Sequence, residues 1–192
     1  MKYSVEQAWN LARFTTEYPY IGLANDDEML QSQPDLDLFH PGSISIDDAI
    51  ELARECEDAA LSEDKRITNS EGATVNTAVG FHVYGNSHGF IGTYPSTRHS
   101  ISCSVIAQEG DDMQRDYWYD TSRVAKDMDS AQAIGRHTAM RTLARLNSRQ
   151  IKTQTSPIIF KNELAPGLLR SFIGAIRGSA LYRKSSFLLD KL

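Results

Sequence analysis

At Ile67 the hydrophobic period changes from that of a helix to that of a strand, and the new period persists to about Thr121; no other feature limits the fold as much. Val75, Thr77, Val79, Phe81 and Val83 alternate with Asn76, Ala78, Gly80, His82 and Tyr84. Such alternation sends successive side chains to opposite faces of a pleated sheet. Gly85-Asn86-Ser87-His88-Gly89 offers several residues that tolerate positive φ, so the chain turns there and returns through Phe90 to Tyr94. Pro95 predicts a break. Beyond it Ile101, Cys103, Val105 and Ala107 alternate with Ser100, Ser102, Ser104 and Ile106. Glu109-Gly110-Asp111-Asp112 turns the chain again, and Met113, Arg115, Tyr117 and Tyr119 alternate with Gln114, Asp116, Trp118 and Asp120. The pattern predicts an antiparallel meander over about 68–121, with one small, polar face open to water or to a partner.

Helical signals flank this sheet. Ser4-Val5-Glu6-Gln7 has the form of a capping box, followed by Val5, Ala8, Trp9 and Ala12 at helical spacing, which predicts a helix near 5–14. Ser45 with Asp47 and Asp48 opens a second helix near 45–61, with Ile46, Ala49, Ile50, Ala53, Ala60 and Leu61 as its buried stripe. A third is expected near 130–146, with Ala133, Met140, Leu143 and Ala144 inward and His137 at the core margin. Its Arg136, Arg141, Arg145 and Arg149 form a charged side, read as solvated or as a dock for an acidic partner. Between Tyr18 and Gly42, Pro19, Pro34 and Pro41 and the acidic run Asn25-Asp26-Asp27-Glu28 leave a long connection with a short helical turn around Met29, of a length that is either functional or wrapped over a surface. The fold class expected is α+β (mixed α/β), an antiparallel meander packed by helices.

Composition excludes several functions. A net charge of -5 argues against direct nucleic-acid binding, which needs a basic surface to neutralise phosphates. No apolar run is long enough to span a membrane, and the first residues lack the apolar core of a signal peptide. Cys56 and Cys103, far apart in sequence and without zinc-ribbon spacing, read as reduced thiols of a cytoplasmic protein.

Two constellations bear on chemistry. Pro157-Ile158-Ile159-Phe160 reads as a short buried strand leading into a helix near 163–177, with Asn162 as a polar cap, Glu163 in the first turn and Leu164, Leu168, Leu169, Phe172, Ile173 and Ile176 as an apolar stripe. Pro166 conflicts with that start, because it lacks an amide hydrogen and restricts Ala165; it moves the expected start toward Ala165. Glu163 is either a residue that stabilises the helix dipole or a carboxylate that orients peptide or water beside a partner's site. The second constellation is His82, His88 and His99 near the hairpin, which would make a free-standing metalloenzyme if the fold brought them together, and are otherwise surface or hydrogen-bonded histidines. His99 sits in Ser96-Thr97-Arg98-His99-Ser100, a stretch suited to hydrogen bonding. No nucleophile elbow and no phosphate loop occur.

Asp35-Leu36-Asp37-Leu38-Phe39-His40-Pro41, Asp64-Lys65-Arg66-Ile67-Thr68-Asn69, Gly85-Asn86-Ser87-His88-Gly89, Ser96-Thr97-Arg98-His99-Ser100 and the run from Ile158 to Leu189 occur in the order of the PmbA (TldE) branch of the TldD/PmbA metallopeptidase family, which the chain resembles from about Ala8 onward. The TldD branch carries His-Glu-x-x-x-His where this chain has Asn162-Glu163-Leu164-Ala165-Pro166-Gly167. The resemblance therefore implies a non-catalytic subunit: no catalytic, cofactor or metal residue of its own, Glu163 surviving in a degenerate motif with Asn162 and Gly167 in place of the histidine ligands, and zinc in a TldD-like partner. It implies a heterodimer with that subunit, or association with itself, acting on peptides in microcin maturation and antitoxin degradation. The family is also called a modulator of DNA gyrase, and a regulatory module linked to gyrase without peptidase activity is the alternative. Set against the family, residues 1–192 correspond to the central part of a PmbA-like N-terminal α/β domain, without its N-terminal β-rich portion and without the C-terminal β-rich domain. A sheet divided in this way should expose an unpaired strand edge able to hold an extended peptide.

Overall fold

The computed structural model describes residues 1–17, 22–42 and 44–191. The start of the long connection, at 18–21, lies outside the described residues. The chain divides into two compact units, 1–148 and 149–192.

In the first unit a helix, α1 (Lys2–Phe14), precedes the long connection and its 3-10 turn at Asp26–Glu28. Then follow α2 (Ile46–Glu63), strands β1 (Ile67–Gly85), β2 (Ile91–Glu109) and β3 (Asp112–Ser122), and α3 (Ala131–Leu143). The three strands form one antiparallel sheet in the order β1-β2-β3, as the alternation predicts. α2 and α3 pack on each other and on one face of it. The expected cap of α2 is formed, Ser45 Oγ accepting the Asp48 amide at 3.1 Å, and α3 has one of the same kind, Ser130 Oγ accepting the Ala133 amide at 3.3 Å.

Two local expectations are corrected. α1 begins at Lys2 with Met1 at its cap position and no side-chain capping bond, so the Ser4 capping box is not used; no residue of α1 is buried, and no packing selects its first turn. Pro95 does not break β2, which runs through it opposite Phe81. The amides of Thr93 and Thr97, two residues to either side, point away from β1: Thr93 donates to Gln33 Oε1 at 2.7 Å and Thr97 to the Leu38 carbonyl at 2.9 Å. Amides two apart in a strand point the same way, so the hydrogen that Pro95 lacks belongs to the outer edge and costs no ladder bond. The connection does wrap the surface, lying along the part of β2 that extends beyond β3.

The core lies between the helix pair and the sheet. Cys56 and Ala60 of α2, Ile134 and Ala139 of α3, and Ile101, Cys103, Val105 and Ala107 of β2 are its buried members, with Leu52, Val75 and Trp118 packed against them. Of the stripe expected on α2, Ala60 is buried and Ala49 and Ala53 are half-buried, whereas Ile46 is 80% exposed and Ile50 and Leu61 are also exposed. On α3 the inward residues are Ala131, Ile134, Gly135, Thr138, Ala139 and Thr142, whereas Met140 and Ala144 point out. The reason is proximity. A Cβ on Gly135 would lie 2.1 Å from the Cys56 carbonyl oxygen, so the helices meet backbone to backbone and only small side chains fit between them. Thr138 and Thr142 satisfy their hydroxyls by donating to the carbonyls of Ile134 and Thr138 one turn earlier, at 2.9 and 2.8 Å. His137 is half-buried against Trp118, ring centroids 4.4 Å apart, at the margin expected for it.

The second unit contains α4 (Pro166–Ile176) and α5 (Gly178–Tyr182). Pro166 occupies the first helical position with Ala165 as cap, where its missing amide hydrogen and fixed φ are compatible with a helix. The strand expected at Pro157 to Phe160 is not formed. Those residues are exposed and pair with no other strand among the described residues, and an isolated extended segment has no ladder to hold it.

Substituting Gly135→Ala forces two helix backbones apart, and overpacking of this kind costs about 3 kcal/mol or more. Urea unfolding should show a lowered midpoint; a midpoint equal to that of the parent chain would contradict the backbone contact.

Candidate functional site

The motif position lies in the turn that leads into α4. The amides of Leu164 and Ala165 both donate to the Lys161 carbonyl at 2.9 Å, which winds residues 161–165 into a turn before Pro166 starts the helix. Lys161 Nζ reaches Glu163 Oε1 at 2.9 Å. Asn162 is therefore not the helix cap and Glu163 not a first-turn acid: Pro166 sets the start three residues later, and α4 has no acid in its first turn. Gly167 is the second residue of α4, with nothing within 4 Å of where a Cβ would be.

The hairpin histidines occupy separate environments. His82 stacks on Tyr94 with ring centroids 4.7 Å apart, on the face of the sheet away from the helices. His88 is in the turn, where its amide donates to Asn86 Oδ1 at 3.1 Å. His99 is buried on the opposite face, its Nδ1 2.9 Å from Thr77 Oγ1. The sheet thus separates His82 from His99, and the metal-centred alternative finds no common site for them. Among the described residues no three His, Cys, Asp or Glu side chains are placed to share a metal ion.

Beside His99, Thr97 forms a buried knot that sequence patterning did not show. Its hydroxyl donates to the Arg123 carbonyl at 2.9 Å and accepts the His40 amide at 3.0 Å, while its amide goes to Leu38. One side chain so joins β2, the exit of β3 and the long connection. The only signal was the density of hydroxyl-bearing residues in 96–100.

The sheet face away from the helices is not the small, polar face expected: beside its serines it carries the exposed rings of Tyr117 and Tyr119, opposite Ser104 and Ser102, with centroids 6.3 Å apart. Ser96, Ser100, Ser102 and Ser104 of β2 are half-buried along it, and Arg98 Nε donates to Thr121 Oγ1 at 3.2 Å. At one side Glu71 accepts from Ser104 Oγ and from Arg115 Nη1, both at 2.8 Å. The bond from Arg115 is the chief reason that the Glu71 carboxyl is held below its ordinary range. β1 and β3 are the two edges of the sheet. On the arginine side of α3, Arg141 and Arg145 each come to 3.6 Å from Asp116 Oδ2, and Arg141 lies over the Trp118 ring at 4.8 Å. Those two cations are engaged by this chain's own carboxylate and ring. Where α2 gives way to β1, hydrogen bonds from Arg66 hold the Asp64 carboxyl down at about 2.

With this geometry, comparison with known proteins is informative. Residues 39–146 match the family model described as the PmbA/TldA metallopeptidase central domain. The chain belongs to the PmbA/TldD metallopeptidase family. It is 49% identical over 189 residues to the metalloprotease PmbA of Escherichia coli O157:H7, covering 98% of this chain and 42% of that protein. It is 44% identical over 192 residues to the PmbA homologue of Haemophilus influenzae, covering 100% of this chain and 43% of the relative. These matches put it on the PmbA branch. The chain thus spans less than half the length of the curated relatives it matches. Two solved structures share the fold. A protein of Thermotoga maritima, described as a modulator of a DNA gyrase, has a TM-score of 0.72 at 19% identity, covering 97% of this chain and 42% of that one. TldE of Thermococcus kodakarensis has a TM-score of 0.68 at 17% identity, covering 100% and 43%. No helix among the described residues is long and apolar enough to cross a membrane.

Two substitutions test this electrostatic and hydrogen-bonded frame. Thr97→Val preserves shape but leaves the Arg123 carbonyl and His40 amide without their partner, at about 1–3 kcal/mol, read as a lowered unfolding midpoint. Asp64 has a depressed folded-state pKa, so its contribution is present above the ordinary carboxylate value near ~4 and is lost as pH falls toward about 2. Asp64→Asn should therefore lower the melting temperature at neutral pH, with the difference from the parent closing between those two pH values; a pH-independent difference would contradict the pairing with Arg66.

Proposed function

We propose that this chain serves as a non-catalytic, PmbA/TldE-type component of a peptidase assembly in which a TldD-like subunit carries the zinc, the assembly acting on peptides, including microcin precursors and antitoxins. One observation carries this reading: the sequence Asn162-Glu163-Leu164-Ala165-Pro166-Gly167 at the position of His-Glu-x-x-x-His. Zinc sites in proteins draw three or four donors from thiolates, imidazoles and carboxylates. A neutral amide at Asn162 and no side chain at Gly167 leave one carboxylate, and Lys161 pairs with that carboxylate at 2.9 Å. The residues present do not fit the metal, so no step of hydrolysis is assigned to Glu163.

What remains for this chain is assembly and substrate handling. The outer edge of β1 carries backbone donors and acceptors that could pair with an extended peptide whatever its sequence. Over residues 73–85 this edge has no proline and no charged side chain to discourage pairing, while the free part of β2 is covered by the segment that contains Gln33 and Leu38. We place the assembly in the cytoplasm, where unpaired Cys56 and Cys103 are at home. The net charge of -5 favours a peptide ligand over direct contact with nucleic acid.

The test is hydrolysis of an unstructured peptide by the purified chain, by a TldD-like subunit and by the two together. The reading expects no cleavage by this chain alone, chelator-sensitive cleavage by the mixture, and a rate changed less than about twofold by Glu163→Gln. Chelator-sensitive cleavage by this chain alone, abolished by Glu163→Gln, would overturn it.

A further inference from the structure

Past the end of β3, β1 and β2 continue as a two-stranded arm. Ser122, the last residue of β3, lies opposite His99, whereas β1 and β2 stay paired from there to Gly85 and Ile91. On this arm Val79, Phe81, Val83 and Ile91 keep the alternation of the buried Ile101, Cys103 and Val105, so they lie on the sheet face that the helices cover farther along. They are nevertheless 72%, 68%, 64% and 75% exposed. Residues 72–97 also contain no Asp, Glu, Lys or Arg.

The backbone of the same residues faces the open edge. Thr93 and Thr97 direct their amides away from β1, to Gln33 and to Leu38, and their partners in β1 are Val83 and Val79. Opposite residues of an antiparallel pair exchange both hydrogen bonds or neither, so Val79 and Val83, with Phe81 between them, direct N–H and C=O away from β2. One set of residues therefore offers hydrogen bonds at the edge and apolar side chains on the helix side. A residue of an added antiparallel strand that bonds there sets its own side chain on that face, beside Val79, Phe81 or Val83. The residues between fall on the other face, beside Ala78, Gly80 and His82, whose ring is stacked on Tyr94.

We infer that the β1 edge selects an extended, uncharged peptide segment with apolar side chains at every second position, and that Val79 and Phe81 set this preference. The inference rests on the strand-addition reading above and adds a specificity to it. Backbone bonding alone tolerates any sequence, so selection comes from the side chains. An apolar side chain on the inner face removes the surface of Phe81 and its neighbours from water. A charged one leaves water for a surface that holds no counter-charge.

The test uses two labelled eight-residue peptides of equal composition, their binding to the intact chain followed by fluorescence anisotropy. In one, valine and serine alternate; in the other they come in pairs, which divides the valines between both faces of the strand. The alternating peptide should bind about five- to tenfold more tightly. Val79→Ser with Phe81→Ser should reduce that ratio to less than about twofold and leave the affinity for the other peptide in place, a thermal melt confirming that the variant is folded. Val79→Pro removes a donor that faces the edge and no bond to β2, and should weaken both peptides alike. Equal binding of the two peptides, unaltered in the serine variant but lost with Val79→Pro, overturns the specificity and keeps strand addition. Binding of neither peptide overturns both. A dimer of the chain that excludes peptide and comes apart in the serine variant assigns the face to a second copy and likewise overturns the inference.

Discussion

The close approach of α2 and α3 at Gly135, which leaves no room for a Cβ beside the Cys56 carbonyl, is the constraint on which the first unit depends. It brings two helix backbones together with only small side chains between them, and so lets both helices lie on one face of a three-stranded sheet. The core can then be built from residues as small as Ala60, Ala107, Ala131 and Ala139. Large apolar side chains such as Ile46 and Met140 would hold the helices apart if they faced inward, and they stand outside.

Polar side chains complete what this packing begins. Thr97 ties the long connection to β2 and to the end of β3, and Asp116 gathers Arg141 and Arg145 against Trp118. Asp116, Arg141 and Arg145 are thereby engaged within the chain, while the face that carries Ser102, Ser104, Tyr117 and Tyr119 and the edge of β1 are not covered by the helices. Such a surface suits the recognition of backbone better than the activation of water. The turn before α4 agrees, since its one carboxylate is paired with Lys161 and has no imidazole beside it.

Much of this was legible because it is local. Alternation placed the three strands, the Ser45 cap placed the start of α2, and Pro166 moved the expected start of the last long helix to within a residue of where α4 begins. The helix faces were not legible, because hydrophobicity was read as the mark of burial and here it was size that decided: Gly135, Thr138 and Thr142 are buried and Met140 is not. The continuity of β2 through Pro95 depended on which edge its missing hydrogen faced, and that is set by Gln33 and Leu38, remote in sequence. Pro157 to Phe160 showed the converse, a segment with strand composition and no neighbour. At the candidate site Asn162 and Gly167, neither of them an imidazole, could be read directly from the sequence. The separation of His82 from His99 by the thickness of the sheet needed the register.

The central claim is that this chain lacks a metal centre of its own and acts through a partner that has one. Equilibrium dialysis of the purified chain against zinc, with metal counted per mole of protein, tests it most directly. The account predicts no tightly held zinc, and no change in that result on replacing Glu163. One zinc per chain, retained against dialysis and lost when Glu163, His82, His88 or His99 is replaced, would contradict it.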